Sequence, residues 1–185
     1  MTQLEQCRAF FAELITASVG VSERGGRLAA AFAATPRERF VGKGPWRVFA
    51  AAGYVQTPSD DPVFLYQDIV VALVAEAGIN NGQPTLHAAS LTALKVQQGE
   101  TVIHIGAGTG YYTAVLARLT GPVHGYEVHE GLARQAVDNV ADLPHVRIVR
   151  QSGGNRRSIA WPAPLAMLTT MASVTMPRTR RPASP

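Results

Sequence analysis

Apolar residues recur in two rhythms along this chain, and the rhythm changes near residue 100. Before that point Leu4, Phe10, Phe11, Leu14 and Ile15 fall at roughly helical spacing, which predicts an amphipathic helix over 4–19. Gly25 and Gly26 break the pattern. A second short helix, 27–34, stops ahead of Pro36, because proline pushes the preceding residue out of the helical region. Glycines and prolines punctuate 42–62, which is expected to be loop with little regular structure. The run 68–77 is apolar enough for a buried element, Asn80-Asn81-Gly82-Gln83-Pro84 is a turn signal, and 88–94 is expected to be helical.

After residue 100 short β-forming runs alternate with helical ones. Strands are expected at 101–105, 123–127 and 146–149, and helices at 111–119 and 131–142. A fourth apolar, β-branched run covers 165–174. Strands alternating with helices predict an α/β fold with a doubly wound parallel sheet. The expected organisation is a helical and loop extension over 1–95, a partial sheet domain over 96–175, and a basic tail over 176–185.

Composition narrows the class. Apolar residues make up 46% of the 185 residues and charged ones 16%, which suits a chain with a core. The lone cysteine, Cys7, excludes an internal disulfide framework and fits a reducing compartment. Glu5 and Cys7 stand where a secretory leader has its basic and apolar regions, and the longest apolar stretch, 69–75, is too short to span a bilayer. A cytoplasmic protein without membrane contact is therefore expected. The net charge of +4 is unevenly placed: the first 142 residues hold ten of the 17 Lys and Arg and all 13 acids. The remaining seven arginines share their segment with one aromatic, Trp161, and follow no helical period, so no specific nucleic-acid surface is expected.

The chemistry concentrates in Thr-Val-Ile-His-Ile-Gly-Ala-Gly-Thr-Gly-Tyr-Tyr at 101–112. Strand, glycine turn and helix bring backbone against a nucleotide-like ligand at the carboxyl end of a first strand. The dinucleotide fingerprint is G-x-G-x-x-G, whereas Gly106, Gly108 and Gly110 give G-x-G-x-G, with Tyr111 where the last glycine would fall. That spacing resembles S-adenosylmethionine-dependent methyltransferases. Glu127 ends the second strand about 20 positions on, where an acceptor for ribose hydroxyls belongs. His87, His124, His129 and His145 lack metal-ligand spacing, so no metal is expected. Tyr66 and Asp68 are expected to form a structural hydrogen-bonding pair.

Further motifs lie in order along the chain. Thr35-Pro-Arg-Glu-Arg-Phe-Val41 resembles the P-R-E-x-F-V signature of protein-L-isoaspartate O-methyltransferases. Tyr66-Gln-Asp68 is similar to that family's Y-x-D, Ile79-Asn-Asn-Gly-Gln83 to its I-G-x-G-Q, and Val102–Tyr111 to its V-L-E-I-G-T-G-S-G-Y. Order and spacing agree from about residue 35 to 149.

The resemblance implies a Rossmann-like doubly wound sheet of the class I methyltransferase type with a helical N-terminal extension. It implies methyl transfer from S-adenosylmethionine to the free α-carboxylate of isoaspartyl residues in a protein or peptide. It implies a cofactor site at His104, Gly106, Ala107, Gly108, Gly110, Tyr111 and Glu127. The family's T-I-S-x-P serine falls at Leu86, which makes the neighbouring Thr85 the candidate catalytic contact to the substrate carboxylate. His104 stands where the family has an acid, and Ser152-Gly153-Gly154, followed by Asn155, where it has G-D-G. The family's later strands have no counterpart, so the expectation is a truncated or frame-disrupted member, its sheet incomplete at the C-terminus. A methyltransferase for another acceptor and a non-catalytic remnant are the alternatives.

Overall fold

A computed structural model describes residues 1–21, 26–151 and the backbone of 165–169. The chain begins with α1 (Gln3–Ala17), whose start is fixed by a capping box: the Thr2 hydroxyl accepts from Glu5 N–H while the Glu5 carboxylate accepts from Thr2 N–H. Then come α2 (Arg27–Ala33), a 3₁₀ turn at Arg37–Phe40, a hairpin of β1 (Arg47–Ala50) and β2 (Gly53–Gln56), and a short antiparallel pair, β3 (Ala72–Val74) and β4 (Ile79–Asn80). The second half runs α3 (Pro84–Leu94), β5 (Thr101–Ile105), α4 (Tyr111–Leu119), β6 (Val123–Glu127), α5 (Glu130–Asn139), β7 (Val146–Arg150) and β8 (Leu165–Thr169).

The main sheet is parallel with described order β7-β6-β5-β8. The chain steps outward from β5 to β7 and then returns to the other side of β5. Strand order therefore reverses beside β5, and in open α/β sheets the crevice at such a reversal is where ligands bind. The fold is the doubly wound α/β type expected from the alternation.

The N-terminal helices pack against the sheet domain. Phe11 and Ile15 of α1 and Phe32 of α2 share one buried cluster with Phe40, Tyr66, Tyr111, Tyr112, Leu116, Val102 and Val123. Phe32 meets Tyr112 edge-on at 6.4 Å and Phe40 meets Tyr111 at 5.5 Å, geometries that aromatic quadrupoles favour. Within this cluster lies a cation. Arg37 is 1% exposed; its guanidinium donates to the carbonyls of Leu65, Gln67 (2.8 Å) and Ile69 (3.1 Å) and lies over the Phe11 ring at 5.1 Å. Arg8 donates to the Tyr66 hydroxyl at 2.8 Å and to Glu38 at 2.9 Å, and Tyr66 in turn donates to Glu38.

Several expectations are corrected. Residues 42–62 hold the hairpin β1–β2, with Phe49 facing Tyr54 across the strands at 5.6 Å. Glycine density concealed it: Gly53 adopts φ +119 as β2 begins, while Val48, Phe49, Tyr54 and Val55 supply strand formers on either side. Helix α3 begins at Pro84 rather than 88. Proline suits a first helical position, and the Asp68 carboxylate accepts the Thr85 N–H at 2.8 Å as a cap from a distant loop. Tyr66 and Asp68 do not pair with each other, since Tyr66 joins Arg8 and Glu38 while Asp68 takes Gln83 and Thr85. In 68–77 Val71 is fully buried and its neighbours only partly so. Helix α1 ends at Ala17 and α5 at Asn139, each short of the expected boundary. The fourth strand is present over Leu165–Thr169; the rest of that run, Ser152–Asn155 and the tail lie outside the described residues.

Replacing Arg37 by alanine strands three buried carbonyls and opens a void. The expected loss of unfolding free energy is about 3 kcal/mol or more, read from urea denaturation, and Arg37→Lys should recover only part of it because one ammonium cannot span the three acceptors.

Candidate functional site

The carboxyl end of β5 runs into a turn in which three glycines adopt left-handed backbone: Gly106 at φ +80, Gly108 at +56 and Gly110 at +93. Side chains resist these angles. Gly110 is also required by packing, because a Cβ there would stand 3.2 Å from Val140 Cγ1 and 3.5 Å from Ala136 of α5. The N–H groups of Gly106 and Ala107 both donate to the Tyr126 carbonyl, at 2.9 and 3.0 Å, which ties the turn to the end of β6.

At that end stands Glu127, 6% exposed. Its Oε2 accepts from Gly108 N–H at 2.7 Å and its Oε1 from His129 N–H at 2.8 Å. Two backbone donors thus hold a buried negative charge in one orientation. A carboxylate has about four acceptor sites, so each oxygen retains capacity for a further donor.

Turn and carboxylate border a cavity of about 210 Å³. Gly106, Ala107, Gly108, Tyr111 and Glu127 line it, so the fold brings five of the sequence-expected cofactor residues together. Gly110 stands one step behind the lining, at the packing contact with α5. His104 is buried inside β5 with Nδ1 2.8 Å from Thr113 Oγ1, and it does not line the cavity. Thr85 lies outside it as well, its backbone and hydroxyl both engaged with Asp68. Burial opposes the Asp68 charge, but hydrogen bonds from Thr85 and Gln83 and the nearby Arg37 cation bring its pKa below the usual carboxylate value.

Other parts of the lining lie outside the glycine turn. Leu73, Ile79, Asn80 and Asn81 arrive from β3, β4 and the turn after them, and Val128 follows Glu127. The family resemblance implies that the turn at 80–83 borders the active cleft, and Asn80 and Asn81 do line the cavity; Leu73 and Val128 carry no such signal. Tyr111 both lines the cavity and packs on Phe40, so its two readings coincide. Its neighbour Tyr112 lines the cavity and stacks on His87 at 3.5 Å. Among the described residues no group of three or more His, Cys, Asp or Glu could hold a metal ion, and no helix is long and apolar enough to cross a membrane.

A glycine turn at the strand reversal, with a fixed carboxylate ending the next strand, marks an α/β domain of the class I methyltransferase kind. The family model for protein-L-isoaspartate(D-aspartate) O-methyltransferase matches residues 6–180, and the chain belongs to that family. It is 31% identical over 159 residues to the protein-L-isoaspartate O-methyltransferase of Roseiflexus sp. (strain RS-1), covering 85% of this chain and 64% of that one. It is 32% identical to protein-L-isoaspartate O-methyltransferase 2 of Anaeromyxobacter sp. (strain Fw109-5), over 79% of this chain and 51% of that one. The chain thus spans half to two-thirds of the length of these relatives.

A solved protein-L-isoaspartate O-methyltransferase superposes with TM-score 0.58 at 26% identity, over 78% of this chain and 42% of the other. A structure of the same description from Plasmodium falciparum, in complex with S-adenosyl-L-homocysteine, superposes with TM-score 0.54 over 78% of this chain and 62% of that one. At 16% identity that second likeness is one of fold.

Beneath the cavity His87 and His104 are buried, and burial lowers their pKa values to about 4 and about 3, the neighbouring His87 adding to the effect on His104. Both are neutral when folded, whereas unfolded histidine takes up a proton near pH 6.5. Stability is therefore full above about pH 6.5 and falls as pH drops below it, levelling off only near the folded values. At pH 4.5, two units below the unfolded value, the expected loss is about 2.6 kcal/mol per histidine, at 1.4 kcal/mol per pH unit. Urea unfolding across pH 4.5–7.5 measures it, and His87→Phe should flatten the acid limb.

Proposed function

We propose that this chain is an S-adenosylmethionine-dependent methyltransferase that esterifies the free carboxylate of isoaspartyl residues in damaged proteins, working in the cytoplasm. The observation that carries the reading is the cavity at the strand reversal, where a glycine turn and a buried, backbone-held carboxylate share one wall. S-Adenosylmethionine fits that donor set. Glu127 has acceptor capacity left for ribose hydroxyls, and Gly106 and Gly108 present backbone without side chains.

Bound there, the cofactor supplies an electrophilic methyl group on a sulfonium sulfur. Transfer forms an oxygen–carbon bond as the carbon–sulfur bond breaks, giving a methyl ester and S-adenosylhomocysteine. The acceptor carboxylate, with a pKa of about 4, is ionised at neutral pH, so no side chain need act as general base. The protein's task is to hold and align. Gly106, Ala107, Gly108, Tyr111 and Glu127 are assigned to the cofactor. Gly110 lets α4 approach α5, His104 ties β5 to Thr113 of α4 as a neutral ring, and Thr85 is assigned to the substrate carboxylate. A second reading, transfer to a different acceptor, draws on Leu86, which stands exposed where the family's serine belongs, and on the engagement of Thr85 with Asp68.

The test is thermal unfolding with and without S-adenosylhomocysteine, followed by methyl transfer to an isoaspartyl peptide. Ligand at 100 times its Kd should add about 2.7 kcal/mol of stability, and the absence of any upward shift overturns the reading. Glu127→Ala should weaken binding roughly tenfold or more, since it removes acceptors in charge-assisted hydrogen bonds. A shift without peptide methylation favours the second acceptor class.

A further inference from the structure

The turn after β4 puts an amide side chain at the cavity wall. Asn81 is 8% exposed and lines the cavity. Its backbone N–H donates to the Val71 carbonyl at 3.0 Å, and its Oδ1 accepts the Val71 N–H at 2.7 Å. The second bond fixes the amide's orientation: the atom facing an N–H must be oxygen, so the NH₂ group is turned elsewhere. Among the described residues no acceptor takes the Nδ2 hydrogens.

The turn that carries Asn81 is rigid. Gly82 N–H donates to Asn80 Oδ1 at 3.0 Å, Gly82 sits at φ +73, and a Cβ there would stand 2.2 Å from His87 Nε2. His87 is held in turn by its stack on Tyr112. Asn81 cannot rotate away without breaking the pairing with Val71.

With Oδ1 held by the Val71 N–H, the unpaired Nδ2 hydrogens make Asn81 chiefly a donor at this wall. Its complement is an acceptor-only group, and an ionised carboxylate is one. Both reactants of the proposed transfer carry a carboxylate: the amino-acid part of the cofactor and the isoaspartyl acceptor. We infer that Asn81 Nδ2 is the carboxylate donor of this cavity, an assignment that rests on the cofactor reading above. An uncharged donor has a chemical advantage here. It orients a carboxylate without neutralising it, so an acceptor held this way keeps its nucleophilic charge. A lysine or arginine at the same place would hold it more strongly and blunt it.

The test uses the full chain and compares wild type with Asn81→Ala and Asn81→Asp. Titration calorimetry is run with S-adenosylhomocysteine and with 5′-methylthioadenosine, which lacks the amino-acid carboxylate, and KM is measured for an isoaspartyl peptide. If Asn81 holds the cofactor's carboxylate, Asn81→Ala weakens S-adenosylhomocysteine by roughly tenfold to a hundredfold, as expected for a hydrogen bond to a charged group, and leaves methylthioadenosine unchanged. If it holds the acceptor's carboxylate, both nucleosides bind as before and KM for the peptide rises by a similar factor. Asn81→Asp keeps an acceptor for Val71 and adds repulsion, so it should weaken the same ligand further.

Comparing two ligands on one variant is insensitive to how much of the sample is folded. Equal losses for both nucleosides, or no change in either affinity or in KM, overturn the inference. Failure of the wild type to bind either nucleoside overturns the cofactor reading itself, and the inference with it, before any variant is needed.

Discussion

The architecture depends on one buried cation. Arg37 sits among aromatic rings, where a charge is costly to bury, and it is tolerated because three backbone carbonyls of 65–69 converge on it. Those carbonyls come from one short loop, so a single guanidinium fixes the loop's path. Asp68 is then in place to cap α3 through Thr85 and Gln83, and Val71 is in place to pair with Asn81. The geometry of the cavity's second wall is thus inherited from a residue that does not line it. Hydrophobic burial supplies most of the attraction in this core, but it is non-directional. Hydrogen bonds to Arg37 supply the direction.

This arrangement explains why the N-terminal helices matter to a site built at the end of the sheet. Phe11 of α1 lies beneath the guanidinium, and Arg8 of the same helix meets Glu38, next to Arg37 in sequence, and Tyr66 in the loop whose carbonyls Arg37 holds. Burial raises the pKa of the Tyr66 hydroxyl to about 12, with its bond to Glu38 adding to the effect, so it stays protonated and can donate to that carboxylate. Two charged clusters, one buried and one half-buried, join α1, the Arg37–Phe40 turn and the 65–69 loop. The helical extension is therefore continuous with the support of the glycine turn.

The sequence showed best what is local. Strand, glycine turn and helix over 101–119 lie in one contiguous window, and Glu127 follows in register because β6 is laid beside β5 by the shortest crossover. It showed least where partners are distant. The start of α3 is hidden in the sequence because its cap, Asp68, lies 17 positions upstream of Thr85. The β1–β2 hairpin is hidden because Gly53 and its neighbours weaken any periodic signal, while Phe49 and Tyr54 acquire meaning only once paired. Tyr66 and Asp68 share one motif, but the chain bends between them, so Tyr66 turns to Arg8 and Glu38 while Asp68 turns to Gln83 and Thr85. Leu73 and Val128 belong to the same class, since nothing in their own spacing indicates what they face, whereas the turn at 80–83 is legible only through the family resemblance.

The order of strands also governs how the sheet is assembled. Val102 pairs with Val123, and Val123 with Val146, so three strands close by short steps. The other side of β5 waits for a partner much further along, Thr101 meeting only Leu165. Closing that long loop carries a larger entropy cost than either short crossover. In a chain emerging from the ribosome, β5 therefore spends an interval with one row of backbone donors and acceptors unpaired. That edge is the place where a premature contact with another nascent chain would begin.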